Sequence, residues 1–209
     1  MKQLTKAVSW LTDAVGARCY WVDVAPERVA IIDPGMTPGL NRVARELRRA
    51  GRSPYEVTDI LLTHGDSDHA QVAAEWQRRT GARVFLGAAD AAILAGEADP
   101  SSGFRQVTRK IGAAELPRNL TELDQDLEIA PGLVALKTAG HTPGHFAFRF
   151  ENVLFAGDAA RCQDRQLVAM PSLLDDDRAK SAASLARLQA LDVDWYCCGH
   201  SDPAKRVIA

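Results

Sequence analysis

The five histidines of the chain are His64, His69, His141, His145 and His200. They fall in three short segments, each beside glycines and acids and each directly after a predicted strand. Histidines used only for packing or solvation would scatter, whereas loops at strand ends are where a rigid scaffold can aim ligands at one point. The first segment, Thr63-His64-Gly65-Asp66-Ser67-Asp68-His69, carries two imidazoles and two carboxylates, a set suited to borderline or hard divalent metals. A single tetrahedral site would have trouble using all four, because adjacent side chains such as Asp68 and His69 diverge. Division between two ions is easier. The competing local reading is a polar turn with Asp68 as N-cap of the following helix. The second segment, Gly140-His141-Thr142-Pro143-Gly144-His145, is by itself a Pro-Gly turn with two surface histidines. Phe155-Ala156-Gly157-Asp158 delivers a carboxylate after a strand and a glycine, and Cys198-Gly199-His200 ends another strand.

The elements that must position these residues read as a mixture of strands and helices. Arg18 to Val24 and Arg28 to Ile32 are rich in Val, Ile, Tyr and Trp, with Pro26 marking the turn between them. A helix is predicted from about Gly39 to Ala50, with Leu40, Val43, Ala44 and Leu47 on one face and Gly51 as its stop. Asp59 to Thr63 reads as a buried strand, and a helix follows from about His69 to Arg79. Arg83 to Leu86 reads as a strand and Ala88 to Leu94 as a short helix. From Gly96 to about Arg118 the periodicity dissolves, as in binding loops. Strand patterns return at Leu133 to Thr138, His145 to Phe150 and Asn152 to Ala156. A helix covers about Asp177 to Leu191, and a last strand spans Trp195 to Cys198. Both halves of the chain contain both element types, which favours a layered αββα or α/β arrangement over an all-β sandwich.

Composition narrows the class. The chain has 209 residues, of which 46% are hydrophobic and 25% charged, so a single globular domain over 1–209 is expected rather than a collagen, coiled coil or disordered chain. A net charge of −2 argues against nucleic-acid partners. No apolar run approaches the ~18 residues of a membrane span, and Met1 to Ser9 has no apolar core of a signal peptide. Four cysteines without a CxxC pattern fit a reduced, cytoplasmic setting. Arg42, Arg45, Arg48, Arg49 and Arg52 read as a solvated helix face. Cys197 and Cys198 read as buried strand residues, and Trp10, Trp21, Trp76 and Trp195 as core.

Taken together, the histidine and aspartate segments resemble the metallo-β-lactamase superfamily. The ordered pattern of that family is an early Asp after a strand, then HxHxDH, a single His, an Asp and a late His. The matching residues here are Asp33, then His64, Asp66, Asp68 and His69, then His141, Asp158 and His200, over about residues 15 to 202. The resemblance implies an α+β fold, a four-layer αββα sandwich with the site at one edge of two sheets. It also implies two divalent metal ions, zinc or manganese and iron. His64, Asp66 and His141 would hold the first and Asp68, His69 and His200 the second. Asp158 would bridge both, and Asp33 would orient the ligand loop. His145 belongs to the recurring HTPGH turn of such proteins and is expected not to be a ligand. Position 66 is Asp where most of the family has His. Ala70-Gln71 stands where the family often has an apolar residue followed by two glycines.

The activity implied is that of a metallo-hydrolase in which two ions activate water towards a small ester-like substrate, a thioester or lactone, with Asp68 or Asp158 as catalytic carboxylates. The alternatives are an iron-dependent oxidoreductase or persulfide-handling protein on the same fold, and a non-catalytic metal-binding protein. No counterpart of the C-terminal helical substrate domain usual in glyoxalase-II-type thioesterases is expected from this sequence. Arg105, Arg109 and Lys110, in the aperiodic stretch, are expected at the substrate entrance, where one of them would meet an anionic group. Cys162, four residues after Asp158, is within sequence reach of the site. The partner expected is a small molecule.

Overall fold

Alternating apolar residues in the strands divide into two inward sets, and that division builds the layers. In a computed structural model, which describes residues 1–100, 105–106 and 112–207, seven strands form a first sheet in sequence order. They are β1 (Lys2–Gln3), β2 (Val8–Leu11), β3 (Cys19–Ala25), β4 (Arg28–Ile32), β5 (Val57–Leu61), β6 (Arg83–Gly87) and β7 (Leu120–Leu123). β1 to β4 run antiparallel, and β4 to β7 pair in parallel through helical crossovers. The second sheet contains β8 (Leu127–Ala130), β9 (Leu133–Lys137), β10 (Phe146–Phe150) and β11 (Val153–Gly157). After a small hairpin of β12 (Arg161–Gln163) and β13 (Gln166–Val168), β14 (Trp195–Cys198) adds parallel to β11, and β15 (Ala204–Lys205) closes the edge.

On β4, Val29 and Ile31 face one way and Ala30 and Ile32 the other. The first pair packs in a cluster with Leu40, Val43 and Leu47 of helix α1 (Thr37–Arg49). The second pair packs against Phe146, Phe148, Phe150 and Phe155 of the other sheet. On β11, Leu154 and Ala156 turn away from that inter-sheet core, towards Leu185 and Leu188 of a C-terminal helix (Arg178–Gln189). Helix, sheet, sheet, helix is therefore the layer order, the four-layer αββα arrangement. Among the described residues no helix is long and apolar enough to cross a membrane.

The differences from the sequence reading have local causes. Helix α1 begins at Thr37, before Gly39, because Pro38 sits in its first turn, where a missing N–H costs nothing. The helix expected from His69 to Arg79 is two helices, α2 (Ser67–Ala70) and α3 (Ala73–Thr80). Between them the Val72 N–H donates to Gly35 O at 3.1 Å, and the Gln71 side chain accepts from Thr37 N–H at 3.0 Å. The N-cap of α2 is Asp66 rather than Asp68, and its side chain makes no capping bond. Helix α4 (Ala88–Ala95) follows β6 directly. β2, β7 and β8 lie outside the strands that the sequence pattern predicts. Arg105, Gln106 and Gly112, inside the stretch expected to be irregular, are helical. Arg42, Arg45, Arg48 and Arg49 are exposed, Arg52 bonds Asp23 and Glu56, and Trp21 and Trp76 are buried.

Candidate metal centre

The site begins with a backbone choice at Asp33, at the end of β4. Its φ of 47° is left-handed, a region that Asp tolerates better than most residues. The turn aims its carboxylate across the sheet at the loop after β5. Oδ1 accepts the Thr63 N–H at 2.8 Å. Oδ2 accepts the Thr63 hydroxyl at 2.8 Å and lies 2.9 Å from His69 Nδ1. Since the Thr63 hydroxyl donates to Asp33, it accepts from His64 Nδ1, 3.0 Å away. Both imidazoles thus carry their proton on Nδ1 and offer Nε2.

The loops are tied together by main chain. Phe146 N–H donates to Thr63 O at 2.8 Å, joining the two sheets at the ends that carry the ligands. Ala17 N–H donates to Asp68 O and Gly35 N–H to His69 O, both at 2.9 Å. Gly199 N–H donates to Gly157 O at 2.9 Å, which sets His200 beside Asp158. A Cβ at Gly199 would overlap the Asp158 carboxylate and the His69 ring, so the glycine is what lets these groups meet.

Three overlapping trios of ligand atoms result: His64, Asp66 and His141 first; Asp68, His69 and His200 second; and His64, His69 and Asp158, which links the other two. Asp66 Oδ2 lies 3.5 Å from both His64 Nε2 and His141 Nε2. His200 Nε2 lies 3.1 Å from Asp68 Oδ2 and 3.4 Å from His69 Nε2. Asp158 stands between the first two. Its Oδ1 is 3.5 Å from His69 Nε2, and its Oδ2 is 3.5 Å from His141 Nε2 and 3.3 Å from His200 Nε2. Donors bound ~2.0–2.1 Å from a tetrahedral ion are separated by roughly 3.3–3.4 Å, so these spacings are those of ligand shells.

The electrostatics agree. Burial works against the Asp158 charge, but His69 and His200 outweigh it and hold the carboxyl well below its ordinary range. Burial likewise opposes ionisation of Asp68, yet His200 and His69 lower it to about 2. Hydrogen bonds from His200 to Asp158 and Asp68 raise His200 to about 9. Burial disfavours a charged His69, but Asp33 and Asp158 reverse this and raise it well above the usual value. His69 and His200 face these acids through two Nε2 atoms only 3.4 Å apart. A divalent cation between them would supply the positive charge that the acids attract. His64 Nε2 and Asp158 Oδ1 are buried with no hydrogen-bond partner, which also fits a metal as the missing partner. The donor set fits two ions.

Several side chains near the site are not ligand candidates. His145 lies 2.8 Å from the Thr138 hydroxyl through Nδ1, and its Nε2 accepts the Asp158 N–H at 3.1 Å. Burial and the neighbouring His64 push its pKa well down, so it is a neutral strut behind Asp158. Cys162 lies on β12, where its N–H donates to the Ser201 hydroxyl. Arg105 is buried and points into the first trio. Its Nε donates to Asp66 at 2.9 and 3.0 Å, Nη1 to Asp176 Oδ1 at 2.7 Å, and Nη2 to Leu174 O at 3.0 Å and His141 Nε2 at 2.8 Å. Arg109 and Lys110 lie outside the described residues.

Sequence reasoning missed Asp90. Its buried carboxylate accepts the Gly65 and Gly144 N–H groups at 2.9 and 2.8 Å and the Thr142 hydroxyl at 2.8 Å. It clamps the loop of His64 and Asp66 to the turn of His141. It missed Asp176 as well. The acidic run Asp175-Asp176-Asp177 was the available signal, since three adjacent acids need cations nearby. Asp66, Asp68, His141, Asp158 and His200 floor a cavity of ≈ 540 Å³ whose walls include Met36, Ile93, Leu94, Ala114 and Leu174.

Residues 12–200 match the family described as the Metallo-beta-lactamase superfamily. The chain is 32% identical over 186 residues to a hydroxyacylglutathione hydrolase of Fuscovulum blasticum, covering 86% of this chain and 60% of that protein. It thus spans about three-fifths of the length of that relative. It is 25% identical to the probable metallo-hydrolase YflN of Bacillus subtilis (strain 168), over 96% of this chain and 86% of that one. The fold is similar to that of a metallo-beta-lactamase family protein from Thermus thermophilus, with a TM-score of 0.74 and 24% identity over 97% of this chain and 76% of the other. With its αββα layers and a family match that runs over residues 12–200, the chain belongs to the metallo-β-lactamase superfamily.

Proposed function

We propose that this protein is a metal-dependent hydrolase of a small ester-like substrate, a thioester first and a lactone second. The observation that carries the reading is the pair of ligand trios sharing Asp158 on the floor of a cavity with apolar walls. The likeness to a hydroxyacylglutathione hydrolase favours a thioester. His64, Asp66 and His141 would hold one divalent ion, Asp68, His69 and His200 would hold the other, and Asp158 would reach both. With two imidazoles and a carboxylate at the first position, manganese or iron is accommodated beside zinc. The chemistry that two divalent ions supply in such a site is polarisation of an acyl oxygen and activation of water near neutral pH.

The chain's own residues do the rest. Asp33 and Thr63 fix the tautomers of His69 and His64, so that Nε2 faces the centre. Asp68 and Asp158 stay ionised, and Asp68, 37% exposed at the cavity floor, accepts a hydrogen bond from the attacking water and orients it. The walls at Met36, Ile93, Leu94 and Leu174 take the acyl portion and exclude bulk water.

The test is hydrolysis of thioesters, lactones, β-lactams and phosphodiesters by protein reconstituted with zinc, manganese or iron(II). Thioester turnover should lead, chelation should abolish it, and Asp158→Ala should lower it at least about a hundredfold while the fold survives. Turnover indifferent to chelator and to Asp158→Ala, or no turnover of thioester or lactone with any metal, would refute the reading.

A further inference from the structure

We infer that Arg105 competes with a metal ion for the first trio, so that the two ions load in order and with unequal affinity. The inference rests on the metal-centre reading above and concerns a residue outside either ligand set. Arginine has donors only, so His141 Nε2, 2.8 Å from Arg105 Nη2, must present its lone pair to the guanidinium. An imidazole nitrogen has one lone pair, so it cannot serve Arg105 and a metal ion at once. Asp66 is engaged as well, with both oxygens within 3.0 Å of Arg105 Nε, while each of its oxygens keeps a further lone pair for an ion. The guanidinium therefore stands against two of the three donors of the first trio.

The position is built rather than incidental. Arg105 is 7% exposed, and Asp176, itself buried, holds the far side of the guanidinium at 2.7 Å. Leu174 O accepts a further bond at 3.0 Å. Asp66, Asp176 and His141 together satisfy a buried cation, the arrangement in which arginine is preferred to lysine. Asp68, His69 and His200 instead face one another and Asp158. Among the described residues no guanidinium stands against those donors, so an ion entering there has no such competitor. An ion entering the first trio must turn Nη2 away from His141 and accept a fixed positive charge nearby, which costs affinity. Asp176 and Leu174 O remain as anchors for the displaced guanidinium.

The experiment is calorimetric titration of the metal-stripped full chain with Mn²⁺ or Zn²⁺, with bound metal counted by elemental analysis. The parent should bind two ions with dissociation constants at least about tenfold apart, and Arg105→Gln should tighten the weaker step at least about tenfold while moving the tighter step less than about threefold. Arg105→Lys, which keeps the charge, should leave the weaker step weak. His141→Ala should remove the weaker step and His200→Ala should disrupt the tighter one, which assigns the steps. Two equal steps in the parent, a measurement that needs no variant, would overturn the competition. So would a weaker step unmoved in folded Arg105→Gln, or loss of the tighter step in His141→Ala. Absence of any stoichiometric binding would overturn the metal centre itself, and the competition with it.

Discussion

Asp33 Oδ2 lies 2.9 Å from His69 Nδ1, and this bond is made by a residue held at a positive φ. The strained turn serves to orient an imidazole 36 residues away. Asparagine also tolerates the left-handed region, so Asp33→Asn keeps the backbone and removes the negative charge behind His69. The tighter metal-binding step should weaken by about 10–100-fold with the circular dichroism spectrum preserved. An unchanged dissociation constant in titration would mean that the Thr63 hydroxyl, 3.4 Å from His69 Nδ1, suffices to orient the ring.

Asp90 joins two ligand loops that are far apart in sequence. Removing its carboxylate leaves two backbone N–H groups and a hydroxyl without their acceptor in a buried place. Asp90→Ala should therefore lower stability by about 3 kcal/mol and raise KM or weaken metal binding more than it changes helix content. Burial raises the Asp90 pKa, so Asp90→Asn should be milder than alanine in denaturant unfolding. Equal effects of the two substitutions would contradict a hydrogen-bonding clamp.

What was legible in the sequence follows from range. The ligands sit in short motifs at strand ends, where type and spacing alone mark them, and the Leu-Val-Ala-Leu periodicity of α1 is local too. The clamp at Asp90 reaches 54 residues to Gly144, and Arg105 reaches 71 to Asp176. The cations around Arg105 and the acidic run at Asp175 to Asp177 are visible locally, but which of them meet is not, and Asp90 has no local mark at all. β2, β7 and β8 are short strands of four residues each, defined by pairing with neighbours rather than by alternation. The single helix expected after His69 fails for a similar reason. Gln71 and Val72 bond to the loop at Gly35 and Thr37, and that contact redirects the chain.

A pH effect should appear away from the site, at Glu46 on the buried face of α1. Burial opposes its charge, but hydrogen bonds from the N-terminal amine, Asp13 N–H and Thr12 outweigh this and lower its pKa from 4.5. A depressed carboxyl stabilises the fold at pH above the unfolded value and loses that contribution as pH falls through the folded one. Glu46→Gln should cost about 1.5–3 kcal/mol at neutral pH. The gap between variant and parent should narrow as pH falls below the ordinary carboxyl value of 4.5 in urea unfolding of metal-stripped protein. A gap that is constant or widens on acidification would show that the charge of Glu46 is not what Thr12 and Asp13 recognise.

Asp66 offers an oxygen donor where an imidazole would make the first trio softer. It is the N-cap of α2 but makes no side-chain capping bond, so Asp66→His should leave the helix and the fold intact. The substitution removes one negative charge from the trio and gives His64 and His141 a third imidazole. Imidazole suits zinc while carboxylate suits manganese, so the ratio of zinc to manganese affinity at the weaker step should rise by about tenfold. Arg105 would lose the two oxygens that now receive its Nε and keep Asp176, which loosens its hold beside His141. Zinc should therefore enter the variant more tightly in absolute terms as well, not only relative to manganese. Competition titrations of parent and variant with the two metals give both quantities. If the ratio does not move, Asp66 does not face the ion, and its carboxylate serves Arg105 alone.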